Sequence, residues 1–234
     1  MLAIFKREFK SFFTTPLGYV ILIIFNLFSG FYFWFGTLYN GTVDMSYVYG
    51  GFTVIVLSAM PIITMRLFSE ERRQKTDQAL LTAPVSITGI VMSKFFAAFL
   101  LYIIGISVTI LYSIILAFFA QPTWGYILGN YLGLALLGAA LIAVGLLISS
   151  ITENQLVAAI ISYAAMFFLL MLDTIAQYFP IAFISDLLYA LSFQTRYDNF
   201  VAGIVNVSDI LYFLSATVLA LFMTTRVIEK RRWS

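Results

Sequence analysis

RLFSEERRQKTDQALLTAPVSITGIVMSK, residues 66–94, is a polar island in a very apolar chain. It carries Arg66, Glu70, Glu71, Arg72, Arg73, Lys75, Asp77 and Lys94, and long hydrophobic runs lie on both sides. A charged stretch between two membrane-length runs is expected in water, and its excess of Arg and Lys predicts the cytoplasmic side. Within it, residues 76–83 (TDQALLTA) read as a short helix. Asp77 favours the dipole of its first turn and Pro84 prevents continuation. A short helix held at the ends of two spans is a part that a soluble partner can push.

The composition agrees with this frame. Of 234 residues, 62% are hydrophobic and 10% charged, against about 25% charged in an ordinary soluble domain. Such a chain cannot hide its apolar surface in one soluble core, so it is predicted to be an all-α polytopic membrane protein forming one transmembrane domain over residues 1–234. The absence of Cys excludes disulfide and thiol chemistry, and the absence of His removes the commonest metal ligand and proton shuttle. Basic residues flank apolar runs and form no surface stripe, which argues against nucleic acid as a partner.

Working outward, residues 1–16 (MLAIFKREFKSFFTTP) place Phe5, Phe9, Phe12 and Phe13 on one helical face with Lys6, Arg7 and Lys10 beside them. That pattern predicts an interfacial helix, apolar toward lipid and basic toward anionic headgroups. No small-residue cleavage site follows, so a retained anchor is expected. Spans are predicted at about 17–38, 47–68, 95–119, 126–150, 155–172 and 209–228, each near the roughly 20 residues that cross hydrocarbon. In the fourth, Gly129 and Gly133 belong to a four-residue repeat of glycines that opens a smooth face for another helix. No strand precedes these glycines and no Lys-Ser or Lys-Thr follows them, so they are no phosphate loop. Between the fourth and fifth spans, Thr152 and Gln155 fit a capping box. Glu153, the one charge of that turn, fits both a solvated helix start and a contact for a cytoplasmic partner.

Residues 173–208 are apolar enough for another crossing, but Pro180 and Asp186 interrupt them. A carboxylate at the centre of a membrane helix costs about 2.5–3.5 kcal/mol on insertion scales. Six spans with a re-entrant outer hairpin fit better. With both termini inside, twelve of the thirteen Lys and Arg lie at cytoplasmic flanks, leaving Arg196 outside. A seventh span would carry Lys230, Arg231 and Arg232 across the bilayer, against the bias.

No constellation of residues looks catalytic. Asp186 and Asp198 are carboxylates without a nucleophile–base spacing, which leaves a membrane enzyme as an unsupported alternative. The span middles carry no ionisable group of the kind a secondary carrier uses. Energy for any transport is therefore expected from outside the chain.

Three stretches carry a resemblance: KREFKSFFTTPLGY (residues 6–19), FSEERRQKTDQALLTAPVSITGIVMSKF (68–95) and SSITENQ (149–155). With them the chain resembles the permease subunits of ABC-2 type exporters, in particular the small six-span subunits of the gliding-motility and nitrous-oxide-reductase-maturation branches. The resemblance implies a second permease subunit, identical or related, in a bacterial inner membrane. It also implies separate cytoplasmic ATPase subunits that bind ATP and Mg2+, with no cofactor held by this chain. The family's coupling helix maps onto residues 76–83 within a coupling region at 69–94. Its contact residues would be Glu70, Glu71, Arg72, Thr76, Asp77, Leu80, Leu81 and Glu153. The gate helix maps onto residues 4–13, with Phe5, Lys6, Arg7, Phe9 and Lys10, and the outer gate onto residues 174–193, with Pro180 and Asp186. A membrane scaffold or mechanotransmission subunit of an ATPase complex is the alternative.

Overall fold

The computed structural model describes residues 1–76, 86–119 and 121–232, and among these every regular element is helical. In chain order they are α1 (Leu2–Thr14), α2 (Leu17–Phe33, continued by a π-helical turn Trp34–Leu38), α3 (Ser46–Thr64), α4 (Ser69–Arg73), α5 (Ile87–Ile106), α6 (Val108–Ala117), α7 (Trp124–Ile151), α8 (Gln155–Ala176), α9 (Ala182–Leu191), α10 (Phe193–Val201) and α11 (Val207–Arg232). Six helical stretches are long and apolar enough to cross a membrane: Leu17–Leu38, Ser46–Arg73, Ile87–Ala117, Trp124–Ile151, Gln155–Ala176 and Val207–Arg232. The molecule is a multi-pass membrane protein.

Helix α7 is the central post. It packs against α3, α5, α8, α10 and α11, and 72% of its most apolar window is buried, against 28% for α2 and for α8. A helix hydrophobic all round is the sequence form of a buried helix. Its glycines admit large neighbours. A Cβ on Gly138 would lie 2.0 Å from Tyr102, and one on Gly133 would lie 2.5 Å from Phe200. Gly129 is closed off by Val205 at 2.9 Å, whereas Gly125 meets nothing. The four-residue repeat thus receives the outer segment around α10, not another span.

Several buried hydroxyls inside the bundle bond to their own helices. Thr64 donates to Met60 O, Ser113 to Thr109 O, and Thr224 to Ala220 O, each at 2.8–2.9 Å. In hydrocarbon a hydroxyl has no water to turn to, so this local acceptor removes the penalty of burial.

Several boundaries differ from those expected. The third span begins at Ile87, eight residues early, because Ser86 caps it by accepting from Gly89 N at 3.3 Å. Lys94 therefore stands on a spanning helix and is 1% exposed, which overturns its assignment to the watery island. Asn154, not Thr152, caps α8, its Oδ1 accepting from Leu156 N at 2.9 Å. Thr152 instead donates to Ile148 O at the end of α7. Thr174 belongs to α8, so the two short outer helices are α9 and α10, hinged at Ser192.

Candidate functional site

The site lies where α1, α4, α5 and the turn from α7 to α8 meet. Helix α3 ends at Thr64, and the chain turns through Leu67 into α4. The backbone amides freed by this break, Phe68 N and Ser69 N, both donate to Ser149 Oγ at 3.1 and 3.2 Å, and Ser149 donates onward to Met65 O at 3.1 Å. One serine on α7 thus satisfies three backbone groups at the break.

Lys94 is the buried centre. Its Nζ donates to Leu67 O at 2.6 Å and lies 3.0 Å from Glu71 Oε2, 3.2 Å from Glu8 Oε1 and 5.0 Å from the centre of the Phe68 ring. Arg7 Nη2 closes the square at 2.7 Å from both Glu8 Oε1 and Glu71 Oε1. Two cations and two carboxylates from α1, α4 and α5 form a neutral set. Neutrality is what permits it: an unpaired buried ion costs several kcal/mol, and only close partners offset that. Burial pushes the Glu8 carboxyl up, but Lys94 and Arg7 outweigh it and hold Glu8 below its ordinary 4.5. The Glu8 hydrogen bond in turn raises Arg7 above its ordinary value.

Two further links surround this square. Arg66 donates to Thr15 Oγ1 at 2.9 Å and Ser11 Oγ at 2.8 Å, with its guanidinium 4.9 Å from the Phe12 ring centre. Phe12 is 1% exposed, so α1 turns part of its aromatic stripe into the bundle. Arg72 donates to Ile151 O at 2.6 Å and pairs with Glu153 Oε1 at 2.5 Å. Beyond α4, Lys75 adopts φ 57°, and Thr76 N donates to Glu71 O while Lys75 N donates to Arg72 O. This left-handed cap stops α4 and redirects the chain. A cleft of about 360 Å³ opens beside the square, between Glu8, Arg66, Glu70 and Glu71, and reaches Thr76.

The structure brings Arg7, Glu71, Arg72 and Glu153 into one connected region. Glu70 and Thr76 line its cleft, and Glu70 accepts from Gln74 at 3.3 Å. Asp77, Leu80 and Leu81 lie outside the described residues. Lys6 and Lys10 are exposed on α1, and Phe9 stacks on Phe5 and meets Phe13 edge-on. Pro180 and Asp186 are exposed before and on α9, whose residues include none that is buried. Sequence reasoning assigns no site role to Glu8, Lys94, Arg66 or Ser149, although Arg66 and Lys94 stand in the charged island. The one available signal was Lys94 itself, a lone cation inside the apolar run GIVMSKFFAAF, which needs an anion from elsewhere in the chain.

A second buried ion stands at the opposite end. Asp209, at the start of α11, is fully buried. It accepts from Arg196 Nη1 at 3.0 Å, Asn199 Nδ2 at 2.8 Å and Asn206 Nδ2 at 3.3 Å. Nearby, Tyr197 donates to Tyr49 O at 2.8 Å, tying α10 to α3. Asp198 bonds Gln194, and burial raises its carboxyl above the ordinary 3.8 against that bond, with the Asp173 charge adding to the rise. Among the described residues, no group of His, Cys, Asp and Glu is arranged to hold a metal ion.

The family described as ABC-2 family transporter protein matches residues 35–228, most of the chain. The chain belongs to the ABC-2 transporter family. No curated protein matches it. The match covers Glu71, Arg72, Lys94 and Glu153, whereas Arg7 and Glu8 precede it. As an ABC-2 protein, the chain is a polytopic membrane component of a transport system of that type.

Proposed function

We propose that this chain is the permease subunit of an ATP-driven ABC-2 exporter of the small six-span kind found in the gliding-motility and nitrous-oxide-reductase-maturation branches. It pairs with a second permease subunit and is driven by separate cytoplasmic ATPase subunits that bind ATP and Mg2+. Both termini face the cytoplasm of a bacterial inner membrane, and α1 lies along the inner surface as a gate helix. The coupling region spans residues 69–94, with Leu80 and Leu81 as apolar anchors in an ATPase groove and Asp77 on the rim. Helices α9 and α10, with Pro180 and Asp186, form a re-entrant hairpin that closes the outer end. Gly129 and Gly133 seat that hairpin on α7.

One observation carries this reading. Glu71, in the last helical turn before the coupling segment, binds Arg7 of α1 and Lys94 of α5 at once, while its neighbour Arg72 holds the turn from α7 to α8. A push on residues 76–83 is thereby delivered to the gate helix, the third span and the central post together. Packed helices respond to such a push by hinge or shear, not by continuous deformation.

The test is purification of the chain with its native neighbours in mild detergent, followed by an ATPase assay. A roughly stoichiometric ATPase is expected, and it is expected to be lost when Leu80→Glu and Leu81→Glu are combined. A preparation without ATPase, or a double variant that keeps both ATPase and transport, would sink the proposal.

A further inference from the structure

A groove of about 420 Å³ runs between α1 and the outer face of α5, lined by Phe5, Phe96, Phe99, Leu100 and Ile103. Its walls are aromatic and aliphatic, and Phe96 and Leu100 remain 47% and 37% exposed. From Phe96 to Ile103 the helix rises roughly 10 Å at 1.5 Å per residue. Half of a hydrocarbon core is roughly 15 Å deep, so the groove can hold about two-thirds of a lipid chain in one leaflet. Beside Phe5 and Phe9 stand Lys6 and Lys10, one turn apart and exposed. Glu8 is the only acid of α1, and it is turned inward to Arg7 and Lys94. Lys6 and Lys10 enter no ion pair among the described residues, in contrast to Arg7, Arg72 and Lys94. Inward use of the helix's one carboxylate leaves Lys6 and Lys10 exposed, with no carboxylate paired to either among the described residues.

We propose that this groove and the two lysines form one site for an anionic phospholipid, the acyl chain lying along α5 and the phosphate held between Lys6 and Lys10. An apolar channel ending at paired cations matches that ligand at both ends, whereas a zwitterionic lipid would satisfy the channel and oppose the lysines with its own amine. The site rests on α1 lying at the membrane surface but does not depend on ATPase docking, so it is tested on the full chain alone.

The chain is reconstituted in phosphatidylcholine vesicles carrying a minor fraction of phosphatidylglycerol with a photoactivatable acyl chain, and adducts are mapped by peptide mass spectrometry. Adducts are expected within residues 96–103, well above those from phosphatidylcholine bearing the same label. Combining Lys6→Gln with Lys10→Gln lowers the phosphatidylglycerol adducts by roughly thirtyfold, the factor two lysines carry near an anionic surface, and leaves the phosphatidylcholine adducts unchanged. Leu100→Trp fills the groove and removes both. Glycerol phosphate in the buffer leaves the labelling intact, because headgroup and chain are recognised together. Equal labelling by the two lipids, labelling insensitive to the lysine substitutions, or a groove without adducts because protein covers it would each overturn the proposal. If Leu100→Trp fails to insert, the lysine variant decides alone, since both of its positions are exposed.

Discussion

Among the described residues, one ion is fully buried at each end, Lys94 and Asp209, and the two are satisfied in different ways. Lys94 on the α1 and α4 side is held by carboxylates 86 and 23 residues away in sequence, and those two are joined by Arg7. Asp209 on the opposite side is held by Arg196, Asn199 and Asn206, all within 13 residues. Both sets meet the demand that buried charge be paired and hydrogen-bonded. They differ in what they connect. The lysine square ties together α1, α4 and α5, which come from distant parts of the chain, whereas the aspartate cluster staples a hairpin to the helix that follows it. Long-range partners make a joint through which displacement travels; local partners make a clasp.

The largest consequence is expected at the joint. Lys94→Met leaves Glu8 and Glu71 facing each other with only Arg7 between them. Breaking a buried ion set by removing one member costs about 3–5 kcal/mol. The apparent melting midpoint in detergent should fall sharply, and α1 should become protease-sensitive. A midpoint that falls no further than that of the outer variant below would break the distinction between joint and clasp.

Asp209→Asn is the milder case. It keeps the shape of the side chain and removes a charge, and loss of charged hydrogen bonds of this kind costs about 1–3 kcal/mol. The expected readout is local: faster cleavage across residues 182–206 with unchanged protection around residues 66–73. Spread of the effect to the α4 side would show that the clasp also transmits.

Acid is the gentlest probe, and it should move the two ends in opposite directions. Glu8 titrates below its ordinary 4.5 in the folded chain, so its stabilisation is complete at neutral pH and is lost as pH falls through that lowered value. Asp198 titrates above its ordinary 3.8. Its stabilisation is complete below 3.8, is lost as pH rises through the raised value, and so returns on acidification. Hydrogen exchange should therefore speed up in α1 and slow down in α10 as the solution is made acid. A common direction would contradict the two opposed environments.

What the sequence disclosed follows the range of each interaction. Six spans and their order are legible because hydropathy over twenty residues is a local quantity. The family resemblance is legible in the stretch that holds Glu70, Glu71 and Arg72. Lys94 is misplaced by the same local reasoning: three residues upstream and three downstream do not reveal that Glu8 waits across the fold. Thr152, the cap expected for α8, instead donates to Ile148 O at the end of α7, and Asn154 two residues on caps the helix. Gly129 and Gly133 announce a close approach, but the sequence cannot name Val205 and Phe200 as what approaches. Arg72 and Glu153 both belong to the contact set that the resemblance implies, but nothing in the sequence pairs one with the other.

Ser149 has a consequence for the order of assembly. The amides of Phe68 and Ser69 depend on a hydroxyl 81 and 80 residues downstream. A ribosome delivers that hydroxyl only after two more spans have left it. Until then the break between α3 and α4 has no intrachain acceptor for those amides and must stay near water or among the headgroups. The second span is thus seated twice during biogenesis, first as an inserted helix and later, once α7 arrives, with its inner end drawn into the bundle.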